Sequence, residues 1–123
     1  MYRIIDLDKA ASVPMENGRG DTLLLVDGSM TDKIDLHLNR LVAGGPNGSL
    51  HRHTVSDNIY IVKSGEGRLR IENETVTIKV GQIVYIPAGA RHSLSNVSNE
   101  LFEIFEIYTP AGKDFDFVLS EGD

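Results

Sequence analysis

Cysteine is absent from the 123 residues. That excludes a disulfide framework, a thiol nucleophile and every thiolate-held metal site. Basic residues are in deficit: 12 Lys and Arg against 18 Asp and Glu leave a formal net charge of −6. A net-acidic surface repels phosphate backbones, and no local basic patch offsets it, so nucleic acid is not expected as a partner. Long apolar runs are also missing. Leu23-Leu24-Leu25-Val26 is far too short to cross a bilayer, and no membrane partner is expected. The opening Met1-Tyr2-Arg3-Ile4-Ile5-Asp6 lacks the apolar stretch of a signal peptide, so a cytoplasmic location is expected. No sustained helical stripe and no helix-turn-helix candidate appear. No linker, low-complexity tract or charge block divides the chain.

What is present is ordinary globular material, 41% hydrophobic and 24% charged. One domain is expected over residues 1–123, large enough to hide about two-thirds of its unfolded surface. Short β-like runs fall at 22–26, 34–42, 58–63, 68–71, 75–80, 82–86 and 101–108, rich in β-branched and aromatic residues. In the second run, Ile34, Leu36 and Leu38 alternate with Asp35, His37 and Asn39, the period of a half-buried strand. Turn signals separate the runs, among them Gly44-Gly45-Pro46-Asn47-Gly48, Ser64-Gly65-Glu66-Gly67 and Pro87-Ala88-Gly89-Ala90. Many short strands at regular spacing predict an all-β barrel or sandwich. Residues 1–20 are poorly patterned and are expected to form an arm. The chain tip, Ser120-Glu121-Gly122-Asp123, is expected to fray.

Three of the four histidines sit in two contexts. His51-Arg52-His53 places two imidazoles on one face of an extended segment, with Arg52 turned away. Two imidazoles on one face can chelate a cation. His92 follows the Pro87–Ala90 turn. A barrel can bring these segments together, but spacing alone is equally met by hydrogen-bonded or surface histidines.

The arrangement resembles the two motifs of the cupin family. The first reads Gly45, five residues, His51-Arg52-His53, four residues, Asn58, six residues, Gly65. The second reads Gly81, five residues, Pro87-Ala88-Gly89, two residues, His92, three residues, Asn96. Nine of the ten fixed positions agree; Asn58 stands where the family has glutamate. The motifs span 45–96, and the short interval between them is like that of small single-domain cupins. The resemblance implies a cupin-type jelly-roll β-barrel, also called a double-stranded β-helix. It also implies one divalent transition metal (iron, manganese, nickel or zinc) held by His51, His53 and His92. Three imidazoles leave positions for water, dioxygen or substrate. Asn58 offers a neutral amide oxygen, weaker than a carboxylate. It is read as a weak ligand, as a neighbour of a three-histidine site, or as the mark of a decayed one. An odd offset from His53 requires the intervening loop to reset the strand's facing, and Asp57 is expected to face away. A site with one fewer negative charge should tolerate an anionic substrate on the metal.

Three further residues are catalytic candidates. His37 is opposite in phase to Leu36 and Leu38 and is expected to face outward; were its phase to face the barrel, it could be a pocket base or a ligand. Glu103 and Glu106 differ by three, so on a regular strand only one faces the interior, or a β-bulge intervenes. Such a carboxylate beside a metal could be an acid or base, although a solvated or interface charge is the simpler reading of each. Tyr60 shares the phase of Asn58 and could line the pocket or pack the barrel. Arg68 and Arg70 share a face suited to solvent or a subunit contact.

The leading functional expectation is a dioxygenase-type oxidoreductase acting on a small molecule. The alternatives are a lyase or isomerase using the ion as a Lewis acid, and a small-molecule-binding module without turnover. The resemblance also implies a homodimer, through packed sheets or exchange of an N-terminal strand such as residues 2–7.

Overall fold

The computed structural model describes residues 2–112 and 117–120. Eleven strands are found among them: β1 (Ser12–Pro14), β2 (Gly20–Val26), β3 (Asp35–Leu41), β4 (His51–Arg52), β5 (Asp57–Ser64), β6 (Glu66–Ile71), β7 (Glu74–Lys79), β8 (Ile83–Ile86), β9 (His92–Ser95), β10 (Phe102–Thr109) and β11 (Val118–Leu119). They form two antiparallel sheets, ordered β1-β2-β3-β10-β5-β8 and β11-β4-β9-β6-β7. This is the all-β jelly-roll arrangement expected. Among the described residues, helix is limited to two 3-10 turns, Leu7–Lys9 and Glu16–Gly18. Among the described residues no helix is long and apolar enough to cross a membrane.

Alternation along the strands builds the core. On β10, Phe102, Ile104, Glu106 and Tyr108 are buried while the residues between them are only partly so. Between the sheets lie Leu41, Val62, Leu69, Ile78, Ile86, Phe102 and Ile104. Gly67 makes room for this packing, since a Cβ there would run into the Phe102 ring.

A second cluster covers the outer face of the larger sheet. Leu23, Leu25 and Leu38 pack there with Leu36 and Phe105, under Leu7 and Ala10. Residues of the N-terminal arm thus act as a lid on the barrel wall, and β1 pairs with β2. This covering corrects the expected facing of β3. Its leucine face is the outer one, shielded by the arm, and its polar face points into the barrel. His37, at 4% exposure, is therefore inside rather than on the surface.

The chain beyond β10 also returns to the barrel. Val118 and Leu119 pair with Arg52 and His51, and Ser120 N–H donates to Leu50 O at 2.9 Å. Ser120, the first residue of the tip expected to fray, is thus held on the barrel, and residues 121–123 lie outside the described residues.

Candidate metal centre and its cavity

Strand pairing sets His51 of β4 directly opposite His92 of β9. Their ring centroids are 4.3 Å apart, and His53 lies 5.0 Å from His51 and 5.3 Å from His92. The two motifs are clasped through the backbone. Gly89 takes φ +91° in the 87–90 turn, a conformation that suits glycine, and its N–H donates to His53 O at 2.6 Å. That bond holds His53, just past the end of β4, against the segment that carries His92.

The imidazoles are oriented as ligands. His51 Nδ1 lies 2.8 Å from Ser49 O, and His92 Nδ1 lies 2.9 Å from Ala90 O. A carbonyl only accepts, so each Nδ1 carries the proton and each Nε2 keeps its lone pair. Burial lowers the pKa of both rings, with neighbouring histidines adding to the effect, and His51 falls to about 4. Both are neutral near pH 7, the form a metal needs. The Nε2 of His92 is buried with no hydrogen-bond partner among the described residues. The ligand atoms of His51, His53 and His92 all lie within 4.8 Å of one another. An orphaned acceptor facing two further imidazoles, in a set of borderline nitrogen donors, fits a divalent transition ion.

Asn58, fully buried on β5, is the register partner of Tyr108, whose ring lies 4.8 Å from that of His53. A bend at Thr54-Val55 resets the facing between His53 and Asn58, so both are buried despite their odd offset. Asp57 points elsewhere, accepting from Tyr85 Oη and Ala88 N–H at 2.9 Å each. Asn58 Nδ2 donates to Glu106 Oε2 at 3.0 Å, and its Oδ1 is buried without a hydrogen-bond partner among the described residues.

Glu106 is the interior member of the carboxylate pair. Glu103 faces out and accepts from Ser64 Oγ at 2.7 Å and Lys63 Nζ at 3.2 Å. Glu106 sits on β10 between His37 of β3 and Tyr60 of β5, which are its register partners. Asn39 Nδ2 donates to its Oε1 at 2.6 Å, which with Asn58 engages both carboxylate oxygens. Asn39 is itself aimed by Thr22, whose hydroxyl donates to Oδ1 at 2.9 Å. Tyr60 and Tyr108 are held protonated far above their ordinary range, first by burial, then by the charge of Glu106 and hydrogen bonds to it. The Tyr108 ring meets His37 and His53 edge-on, with centroids 5.8 and 4.8 Å away. The candidates Glu106, His37 and Tyr60 thus occupy one polar layer beside the histidines.

A cavity of about 370 Å³ opens onto this layer, at the small end of ligand sites. His51, Glu106, His37, Tyr60 and Tyr108 line it. Tyr108 was not singled out by pattern, nor were Arg19, Asn39, Leu94 and Phe117, which also line it. Phe117 stacks on His51 at 4.3 Å and 20°. The one sequence signal for Asn39 was its place in the polar phase of β3, which marks a face but not which side that face lines. Arg68 and Arg70 lie on the outer side of the smaller sheet, away from this cavity.

Comparison with known proteins bears on the fold and family. A family model described as "Cupin domain" matches residues 38–108, more than half of the chain, and the chain belongs to that family. It is 34% identical over 59 residues to the uncharacterized protein MJ1618 of Methanocaldococcus jannaschii, covering 48% of this chain and 47% of that one. The chain thus spans about half the length of that relative. It is 28% identical over 96 residues to a Thermotoga maritima protein named "Oxalate-binding protein", covering 76% of this chain and 79% of that one. A solved Thermotoga maritima structure, titled as a predicted oxalate decarboxylase, superposes with a TM-score of 0.79 at 23% identity. That superposition covers 88% of this chain and 99% of that one, and shows the shared fold.

Proposed function

We propose that this cupin is a metal-dependent enzyme that acts on a small polar molecule in the barrel, with Glu106 moving a proton at the substrate. The observation that carries the reading is the buried Glu106 carboxylate, gripped by two amides, lining the same cavity as His51. A divalent transition ion at His51, His53 and His92 supplies Lewis-acid polarisation of a substrate oxygen. Asn39 and Asn58 hold Glu106 in one orientation, beside the Tyr60 and Tyr108 hydroxyls that hydrogen-bond to it. Tyr60 and Tyr108 keep their protons and act as donors. Buried walls of Leu41 and Leu94 limit water. Proton abstraction and return beside a Lewis acid is lyase or isomerase chemistry.

The dioxygenase reading rests on the positions that a three-imidazole set leaves open for dioxygen and substrate on a redox-capable ion. Turnover that persists without dioxygen favours the lyase or isomerase; substrate-dependent oxygen consumption under iron(II) favours the dioxygenase. A binding module without turnover draws its support from the neutral Asn58. The oxalate-binding relative supports a small oxygen-rich ligand under any of these readings.

Elemental analysis of the protein purified without chelator, beside His51→Ala, tests the metal first. About one equivalent of iron, manganese, nickel or zinc is expected, and its loss in the variant. Absence of metal from both, even after reconstitution with each ion, refutes the enzyme reading. The expected homodimer is also a proposal. Ile61, Ile83 and Tyr85 expose an apolar strip on the outer β5–β8 face, suited to a second copy of this chain.

A further inference from the structure

Among the described residues, Arg19 is the one lysine or arginine that lines the cavity. It follows the Glu16–Gly18 turn and is pinned by its backbone: Val42 N–H donates to Arg19 O at 2.8 Å, and Arg19 N–H donates to Glu16 O at 3.3 Å. Its guanidinium reaches over the smaller sheet, where Nη2 donates to Leu94 O at 2.9 Å. Gly48 clears its path, since a Cβ there would lie 2.7 Å from Arg19 Nη2. The Nε is buried and has no hydrogen-bond partner among the described residues. Glu16 and Glu106 are near enough to act on Arg19 through space, yet it forms no ion pair with any described carboxylate.

A guanidinium keeps its charge under all ordinary conditions. Taking it partly out of water without a counterion is costly, and an unmade bond from a buried donor adds to that cost. Both costs are relieved by an anion in the cavity. The planar fork of donors matches a carboxylate in particular.

We infer that Arg19 binds a carboxylate of the substrate, so that the cavity selects small organic acids and orients them between Arg19 and the histidine group. This rests on the reading of the cavity as the substrate site, and it adds the substrate class and the residue that reads it. Arg19 touches the non-reacting end of the substrate in this scheme, and is a specificity residue.

The test uses metal-loaded protein and the unbranched dicarboxylates from oxalate to glutarate. Dimethyl succinate and inorganic phosphate serve as controls. Calorimetry and thermal shift read binding to the wild type, Arg19→Gln and Arg19→Lys. At least one diacid is expected to bind the wild type, and the diester is not. Arg19→Gln is expected to weaken the diacid about tenfold to hundredfold, as for loss of a charge-assisted hydrogen bond, while metal content stays unchanged. Arg19→Lys is expected to keep part of the affinity. In the wild type, which needs no variant to fold, the Arg19 Nε–H resonance is expected to shift downfield as the acid binds. Equal diacid affinity in Arg19→Gln overturns the inference, as does an unmoved Nε–H signal at saturation. Phosphate binding in place of diacid binding overturns the carboxylate assignment. None of these outcomes alters the metal content, which is where failure of the underlying enzyme reading would appear.

Discussion

Glu106→Gln is the substitution that most directly tests the polar layer. Glutamine keeps the volume of the side chain but replaces one acceptor oxygen with a donor. Both amides that grip Glu106 donate, Asn39 to Oε1 at 2.6 Å and Asn58 to Oε2 at 3.0 Å. Whichever way the new amide turns, one asparagine NH2 meets another NH2. A hydrogen bond to a charged acceptor is worth about 1.5–3 kcal/mol net, and the surviving bond weakens toward about 1 kcal/mol. The expected loss is about 2–4 kcal/mol. For a chain of this size the unfolding entropy is about 0.26 kcal/mol/K, so the melting point should fall by about 8–15 °C. Asn58 can reduce the cost by turning its amide over, which moves its Nδ2 to the position Oδ1 now holds. Urea unfolding of the metal-free protein measures the loss without interference from ion binding. The opposing effect is relief of a buried carboxylate, which in other proteins makes such a change neutral or stabilising. A midpoint equal to or above the wild type would show that this effect wins and would refute the account of Glu106 as a gripped acceptor.

Metal-free protein should lose stability as the pH falls from 6.5 to 4. His51 is neutral in the fold down to about 4, whereas the unfolded chain takes its proton near 6.5, so the stabilisation is complete above 6.5. The gap is worth about 3 kcal/mol at most, and His92 acts in the same direction. Urea midpoints at pH 7.5 and 4.5 read it; a slope as steep in His51→Ala as in the wild type contradicts the assignment. Gly67→Ala should cost about 1–3 kcal/mol by overpacking, because its methyl group meets the fully buried Phe102 ring, and thermal melts will show whether the ring yields. Light scattering should return twice the chain mass, and a clean monomer refutes the dimer.

Much of this molecule is local and could be read along the chain. Alternation and turn residues marked β2, β3, β5–β8 and β10 within a residue or two, because a strand's period and a turn's backbone needs are properties of neighbours. The two motifs named His51, His53 and His92, and the structure brings all three together. The phase argument also separated Glu103 from Glu106, since three residues along a strand must change face. Other features depend on distant segments. Alternation gives β3 two faces but cannot say which one lines a barrel. That was decided by Leu7 and Ala10, which cover Leu38 from outside and leave His37 and Asn39 within. The grip on Glu106 needs three strands in register, with partners 67 and 48 residues away. Arg19 over Leu94 and Phe117 over His51 are likewise contacts between the two ends of the chain and its middle. Spacing encodes what one strand or turn can do alone; the charge and shape of the cavity arise only when the sheets close and remote side chains share one small volume.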